Sequence, residues 1–161
     1  MKEKIFRYSK EIIIFLIVLT IVTNIISLYK SSNLNQSPFN ITNTILLNGQ
    51  VYNNDNSKPL LVHIWATWCP TCKIEAQNIQ RVSEHYNVLT IAVKSGSNED
   101  IQSWMKENNY TFNVVNDSNG YLASHFNIAA FPTTLIYDKN KNIKFADVGY
   151  TSTWGLFLRM W

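Results

Sequence analysis

An α/β sandwich built around a mixed sheet is the fold class this sequence predicts, and three observations carry it. Short apolar runs alternate with stretches of helical spacing along most of the chain. The last two runs flank a polar turn, Lys139-Asn140-Lys141, as the strands of a hairpin do. The composition, 46% hydrophobic and 13% aromatic over 161 residues, suffices for one core. A formal net charge of +3 is too small to suggest nucleic acid, and no basic run interleaved with aromatics follows the first ten residues.

The N-terminus departs from this pattern. Ile12 to Tyr29 carries no charge, and as a helix it would extend roughly 27 Å, close to the thickness of a bilayer's hydrocarbon core. Lys2, Lys4, Arg7 and Lys10 precede it, while only Lys30 follows closely. The positive-inside rule therefore expects residues 1–11 in the cytoplasm, 12–29 as a transmembrane anchor and the remainder outside. A cleavable signal peptide is the alternative, although Ser27-Leu28-Tyr29-Lys30 offers no A-x-A-like site. Under either reading both cysteines face a compartment in which disulfides persist. Residues 30–44, rich in Ser and Asn with Pro38 and no apolar period, read as a linker. Residues 45–161 then form the folded domain.

Within that domain, Asn48-Gly49 between two β-prone pieces reads as a tight hairpin over Ile45–Tyr52. Lys58 to Ala66 is a nearly continuous apolar run, as a strand buried on both faces requires. Pro70 suits the first turn of a helix, where its missing N–H costs nothing, and that helix runs to about His85. Asn87 to Val93 is a second buried strand. Asn98 to Asn108 spaces Ile101, Trp104 and Met105 as a helix does. Phe112–Val115 is a short strand and Gly120–Phe126 a short helix. Strands at Thr133–Asp138 and Asn142–Val148 make the closing hairpin, and a last helix covers Ser152–Trp161.

Both cysteines of the chain lie in the stretch WATWCPTCKIE, Trp65 to Glu75. A C-x-x-C that follows a buried strand and opens a helix gives its thiols different surroundings. Cys69 falls at the helix N-terminus, where free N–H groups and the helix dipole favour a thiolate. Cys72 falls one turn inward, shielded and suited to resolving a mixed disulfide. A structural staple gains most by closing a long loop, and this loop is nearly the shortest available. A zinc site needs four ligands, and His63, His85 and His125 lack paired ligand spacing. A Cu(I)-binding or metal-transfer pair is the alternative that stays open, although Pro70 stiffens the pair and no Met lies nearby. Redox exchange is the favoured chemistry.

The segment Trp65-Ala66-Thr67-Trp68-Cys69-Pro70-Thr71-Cys72, with Phe131-Pro132-Thr133-Thr134 far downstream, resembles the thioredoxin superfamily. More narrowly it is similar to the membrane-anchored TlpA/ResA/DsbE-like protein disulfide oxidoreductases. The tail DVGYTSTWGLFLRMW resembles the suppressor-of-copper-sensitivity D-like branch. The resemblance covers Ile45 to the last residue. It implies a thioredoxin-like three-layer sandwich, its mixed sheet flanked by helices, behind an N-terminal transmembrane helix. It implies a redox disulfide between Cys69 and Cys72, with Cys69, Cys72 and Glu75 as the catalytic candidates. Trp68, Phe131 and Pro132 would form the substrate-binding surface, with Pro132 in a cis peptide bond.

Glu75 stands three residues after Cys72 and shares its helical face, where it could carry the resolving thiol's proton. A solvated surface carboxylate is the alternative reading. Where thioredoxins carry a buried carboxylate, this chain has His63, which reads as a packed core residue rather than a catalytic one. No cofactor and no metal are expected. The partners implied are cysteine-containing protein substrates and a membrane thiol-electron transporter as donor. The location implied is the inner membrane, with the catalytic domain facing the periplasm and serving copper tolerance or cytochrome c maturation, more as reductant than oxidant.

Overall fold

The computed structural model describes residues 2–31, 34, 44–53 and 57–161. Its elements, in order, are α1 (Lys2–Ser31), β1 (Leu60–Trp65), α2 (Pro70–Ser83), β2 (Asn87–Val93), α3 (Asn98–Glu107), β3 (Asn113–Asp117), α4 (Tyr121–His125), β4 (Thr133–Tyr137), β5 (Ile143–Val148) and α5 (Thr153–Met160). The strands form one sheet in the order β3-β2-β1-β4-β5. The pairs β1–β2 and β2–β3 are parallel, whereas β1–β4 and β4–β5 are antiparallel. The sheet is therefore mixed, as the alternation of strands and helices and the closing hairpin require.

Side chains alternate across each strand, so the sheet has two apolar faces. Leu61 and Trp65 of β1 pack with Ile79 and Val82 of α2, Ile101 and Met105 of α3 and Leu156 of α5. Leu60, Val62 and Ile64 pack on the opposite face with Leu89, Ile91, Ala123 of α4 and Phe126. Helices on both faces give the three layers. β1 is buried throughout and paired on both sides, which is why its sequence is apolar without alternation. The site grows from the end of this central strand.

Element ends agree with the sequence reading to within one or two residues, apart from the hairpin at 45–52. That hairpin is reduced to a single bridge, Ile45 to Val51, around a turn in which Gly49 has φ +78°. The Leu47 amide instead donates to the Val114 carbonyl at 2.9 Å. The segment thus closes on itself through the Leu46 amide to the Gln50 carbonyl and the Tyr52 amide to the Thr44 carbonyl, both 2.8 Å, and also braces the outer strand β3.

α1 is helical over the whole expected span. Its continuously described side chains run only from Lys10 to Val22, and the span 12–29 continues past them. Among the described residues no helix is long and apolar enough to cross a membrane. The expected linker over 30–44 lies, but for its ends and Leu34, outside the described residues.

Candidate active site

Helix α2 begins where β1 ends, and Cys69 is its N-cap. The Cys69 backbone is extended (φ −86°, ψ 115°), Pro70 fills the first turn, and Cys69 Sγ accepts from the Cys72 amide at 3.2 Å. A thiol at the N-cap occupies the place where an oxygen acceptor usually satisfies one of the helix's free N–H groups. The Cys69 and Cys72 sulfurs are joined as a disulfide across one helical turn, with Cα atoms 5.3 Å apart. Cys72 is fully buried and Cys69 is 6% exposed. The expected contrast between an exposed and a shielded thiol is thus narrower than the sequence indicated. In the disulfide form Cys69 is itself packed into the core cluster.

The turn that carries Cys69 is pinned by the end of β2. The Thr67 amide donates to Ser95 Oγ at 3.0 Å, and the Trp68 indole Nε1 donates to the Lys94 carbonyl at 3.1 Å. Lys94 can point its carbonyl there because its backbone is left-handed, at φ +46°. Trp68 is 57% exposed, and its ring meets Phe131 edge-on with centroids 5.6 Å apart. Phe131 packs against the cluster that contains both cysteines, and the Phe131–Pro132 peptide is cis. Trp68, next to Cys69 in sequence, therefore meets Phe131 and the Phe131–Pro132 peptide from far downstream. The Thr133 hydroxyl donates to the Ala130 carbonyl at 2.8 Å and fixes the turn before β4.

Glu75 is not a surface carboxylate. It is 0% exposed, which removes the solvated reading. Its Oε1 accepts from the Thr151 amide at 3.2 Å, while Oε2 has no hydrogen-bond partner among the described residues. Burial pushes its carboxyl from 4.5 up to about 8; the Thr151 amide opposes this rise and the Asp147 carboxylate adds to it. Glu75 is therefore mostly protonated at neutral pH, close to the range in which a thiol titrates. It lies three residues after Cys72 on one helical face, and both are fully buried.

Sequence reasoning missed the group that closes over Glu75. Thr151 lies between β5 and α5; its hydroxyl donates to Asp147 Oδ2 at 3.0 Å, and Asn78 Nδ2 donates to its carbonyl at 3.0 Å. Arg159 Nη1 is ion-paired with Asp147 Oδ2 at 2.9 Å, and its guanidinium stacks 3.9 Å over Phe145. Lys94, Ser95 and Asn78 were likewise invisible, because no local pattern marks a residue that acts by folding back on a distant turn.

His63 is a core residue, as expected. It faces Thr134 across the β1–β4 ladder, with Nδ1 and Thr134 Oγ1 3.0 Å apart. Burial drives its pKa down to about 3. Its ring is therefore expected to stay neutral between about pH 5 and 8, with imidazole resonances that hold still across that range. An unfolded histidine protonates near 6.5, so the unfolded chain binds the extra proton and stability falls as pH drops through 6.5 toward 3. A His63 titration near 6.5 in the folded chain would contradict this. Among the described residues no cluster of three or more His, Cys, Asp or Glu side chains could hold a metal ion. The copper-carrying reading of the pair gains no further ligand from the geometry.

A mixed sheet between helices, with a disulfide at the start of the helix that follows the central strand, defines a thioredoxin-like domain. The chain belongs to the AhpC/TSA family, whose model matches residues 38–146. It is 35% identical over 107 residues to a thioredoxin-like protein of Haemophilus influenzae, covering 66% of this chain and 64% of that one. It is 34% identical over 107 residues to the thiol:disulfide interchange protein DsbE of Escherichia coli, covering 63% and 57% respectively. The chain thus spans less than two thirds of the length of these relatives. The structure of StoA from Bacillus subtilis superposes with a TM-score of 0.65 over 78% of this chain and 98% of that one, at 22% identity. That likeness establishes the fold.

Proposed function

We propose that this chain is a membrane-tethered, extracytoplasmic thiol–disulfide oxidoreductase acting on protein cysteines through Cys69 and Cys72. The observation that supports it most is the pair itself, a disulfide at the N-terminus of α2 beside Trp68 and the cis Phe131–Pro132 peptide. The similarity to a thiol:disulfide interchange protein points the same way.

In the reducing direction, the Cys69 thiolate attacks one sulfur of a substrate disulfide. The substrate S–S bond breaks, and its second sulfur leaves as a thiolate that takes a proton from solvent. Cys72 then loses its proton to ionised Glu75 and attacks Cys69. The mixed disulfide breaks, the released substrate sulfur takes a second proton from solvent, the substrate leaves as a dithiol, and the enzyme holds the Cys69–Cys72 disulfide. Two electrons have passed to the substrate, and a dithiol donor must restore them; the reading names a membrane thiol-electron transporter. When that donor reduces the pair, protonated Glu75 supplies the proton that the departing Cys72 thiolate needs. Trp68 and Phe131 offer an apolar surface on which the substrate chain lies, and Pro132 positions the Phe131 backbone to bond with it. The preference for reduction, and service in copper tolerance or cytochrome c maturation, rest on the sequence resemblance.

α1 supplies the tether in this reading. The chain is expected to fractionate with membranes and to resist extraction at alkaline pH, retaining its first residues. Release in the native host of a soluble form that begins near Lys30 would contradict the tether. Exchange itself is tested by reduction of insulin or a small peptide disulfide. Stoichiometric copper carried through gel filtration, without exchange, would favour a metal-transfer module instead.

A further inference from the structure

Glu75 is held by a part of the chain that lies outside the cysteine motif and past the last residue of the family match. Among the described residues its only hydrogen-bond partner is the amide of Thr151, 76 residues away. That amide is aimed by contacts on both its sides. Asn78, one turn along α2, donates to the Thr151 carbonyl and to the Tyr150 hydroxyl, and accepts from the Thr153 hydroxyl at 2.8 Å. Asp147 holds the Thr151 hydroxyl, and Arg159 holds Asp147 through the same oxygen, Oδ2. Thr151 is 5% exposed, while the side chains of Arg159 and Asp147 are 28% and 17% exposed. The chain of contacts therefore runs from the solvent edge of α5 to the buried carboxyl.

We infer that Asp147, Arg159 and Thr151 form a positioning device that sets the charge state of Glu75, with Asp147 and Arg159 acting in opposite senses. Asp147 is a negative charge that disfavours a second one on Glu75, and Arg159 partly cancels it. Among the described residues, the titratable and charged groups linked to Glu75 are Cys72 on its own helix, Asp147 on β5, Arg159 on α5 through Asp147 and, beyond Asn78, the Tyr150 hydroxyl. Of these, Asp147 and Arg159 are joined as an ion pair at 2.9 Å. The inference rests on the exchange reading above for its consequence, though not for its test.

The experiment is a carboxyl-carbon NMR titration of the full chain in detergent, held in the disulfide form so that neither thiol titrates. The Glu75 resonance is assigned by its loss in Glu75→Gln. Asp147→Asn keeps an acceptor for Thr151 and Arg159 but removes the charge, so the Glu75 midpoint is expected to fall. Arg159→Gln removes a positive charge from beside Asp147, so the midpoint is expected to rise. Arg159→Lys keeps the charge and should stay near wild type. Each shift should be roughly half a pH unit or more, about a threefold change in the ratio of protonated to ionised Glu75. A purely structural role predicts loosening, with shifts toward 4.5 in both charge-removing variants. Shifts of the same sign in both, or none in either, would overturn the inference. Should Asp147→Asn fail to fold, a rise in Arg159→Gln without one in Arg159→Lys still supports it, and equal behaviour of those two overturns it. The pH profile of mixed-disulfide resolution is then measured in the same variants. Opposed carboxyl shifts with unmoved resolution profiles would uphold the device and count against Glu75 as the proton carrier in exchange.

Discussion

Cys69→Ser abolishes exchange, and Cys72→Ala stops it halfway, with substrate held on Cys69 as a mixed disulfide; both results are expected from the position of the pair. A serine hydroxyl at the N-cap of α2 still accepts from the residue-72 amide and still caps the helix. What it loses is the nucleophile, since a hydroxyl without an adjacent base does not ionise at neutral pH. Loss of a covalent nucleophile costs roughly a thousandfold or more in rate. In Cys72→Ala the first attack proceeds and the second has no thiol to make it. The fold should survive both changes, because a disulfide closing a loop this short contributes only about 2 kcal/mol in the chain-entropy view. Stopped-flow exchange with a peptide disulfide, and mass spectrometry of the Cys72→Ala adduct, measure the two outcomes. Turnover retained by Cys69→Ser, in a chain of unchanged stability, would remove Cys69 from the reaction.

The second large effect is expected at Glu75, on rate and on stability together. Removing a positioned acid–base group should slow resolution by Cys72 roughly tenfold to a hundredfold, with attack by Cys69 affected less. In wild type the resolution rate should climb with pH to about 8, where Glu75 ionises, and then level. In Glu75→Gln that inflection should be missing. Because Glu75 is mostly protonated at pH 7, the uncharged glutamine should disturb the Cys72 thiol little there, and should lower its pKa relative to wild type only above about 8.

The stability effect has a definite sign. The unfolded carboxyl ionises near 4.5 and the folded one near 8, so between these values the folded state binds more protons. The Glu75 contribution to stability is therefore fully present below 4.5 and is lost as pH rises toward 8, opposite in slope to that of His63. Glu75→Gln should flatten that decline and unfold later than wild type at pH 8, by a margin of a few kcal/mol at most. Denaturant melts at pH 5 and pH 8 measure it. Parallel wild-type and Glu75→Gln curves at both pH values would show that the carboxyl carries no burial cost.

The difference between what the sequence displayed and what it hid is physical. β1 was legible because a strand paired on both sides and buried on both faces must be apolar throughout, and Leu60–Trp65 is nearly so. The start of α2 was legible because Pro70 has a positional meaning that any proline carries. The cis bond at Pro132 was expected from the resemblance alone, since nothing local distinguishes a cis proline from a trans one at the head of a strand. Burial of Glu75 was illegible. A glutamate on an amphipathic helix ordinarily faces water, and this one is covered by the Thr151 turn and its neighbours, which return from the far end of the sheet. Asn48-Gly49 was legible as a turn, and a short hairpin closes around it with one bridge; that the Leu47 amide turns outward to Val114 was not. Local signals fixed elements and their ends; the electrostatics of the site came from contacts more than seventy residues apart.

The central claim, that Cys69 and Cys72 open and close as a working pair, is tested most directly by redox equilibration of the folded chain. The protein is poised in a series of glutathione buffers, its free thiols are trapped by alkylation, and the fraction reduced is read by mass. Both cysteines should switch together in the native protein, reversibly, as one two-electron step that changes the reduced-to-oxidised ratio tenfold per about 30 mV. A pair that stays closed in every buffer until the chain is unfolded would make it a staple, and the exchange reading would fall with it.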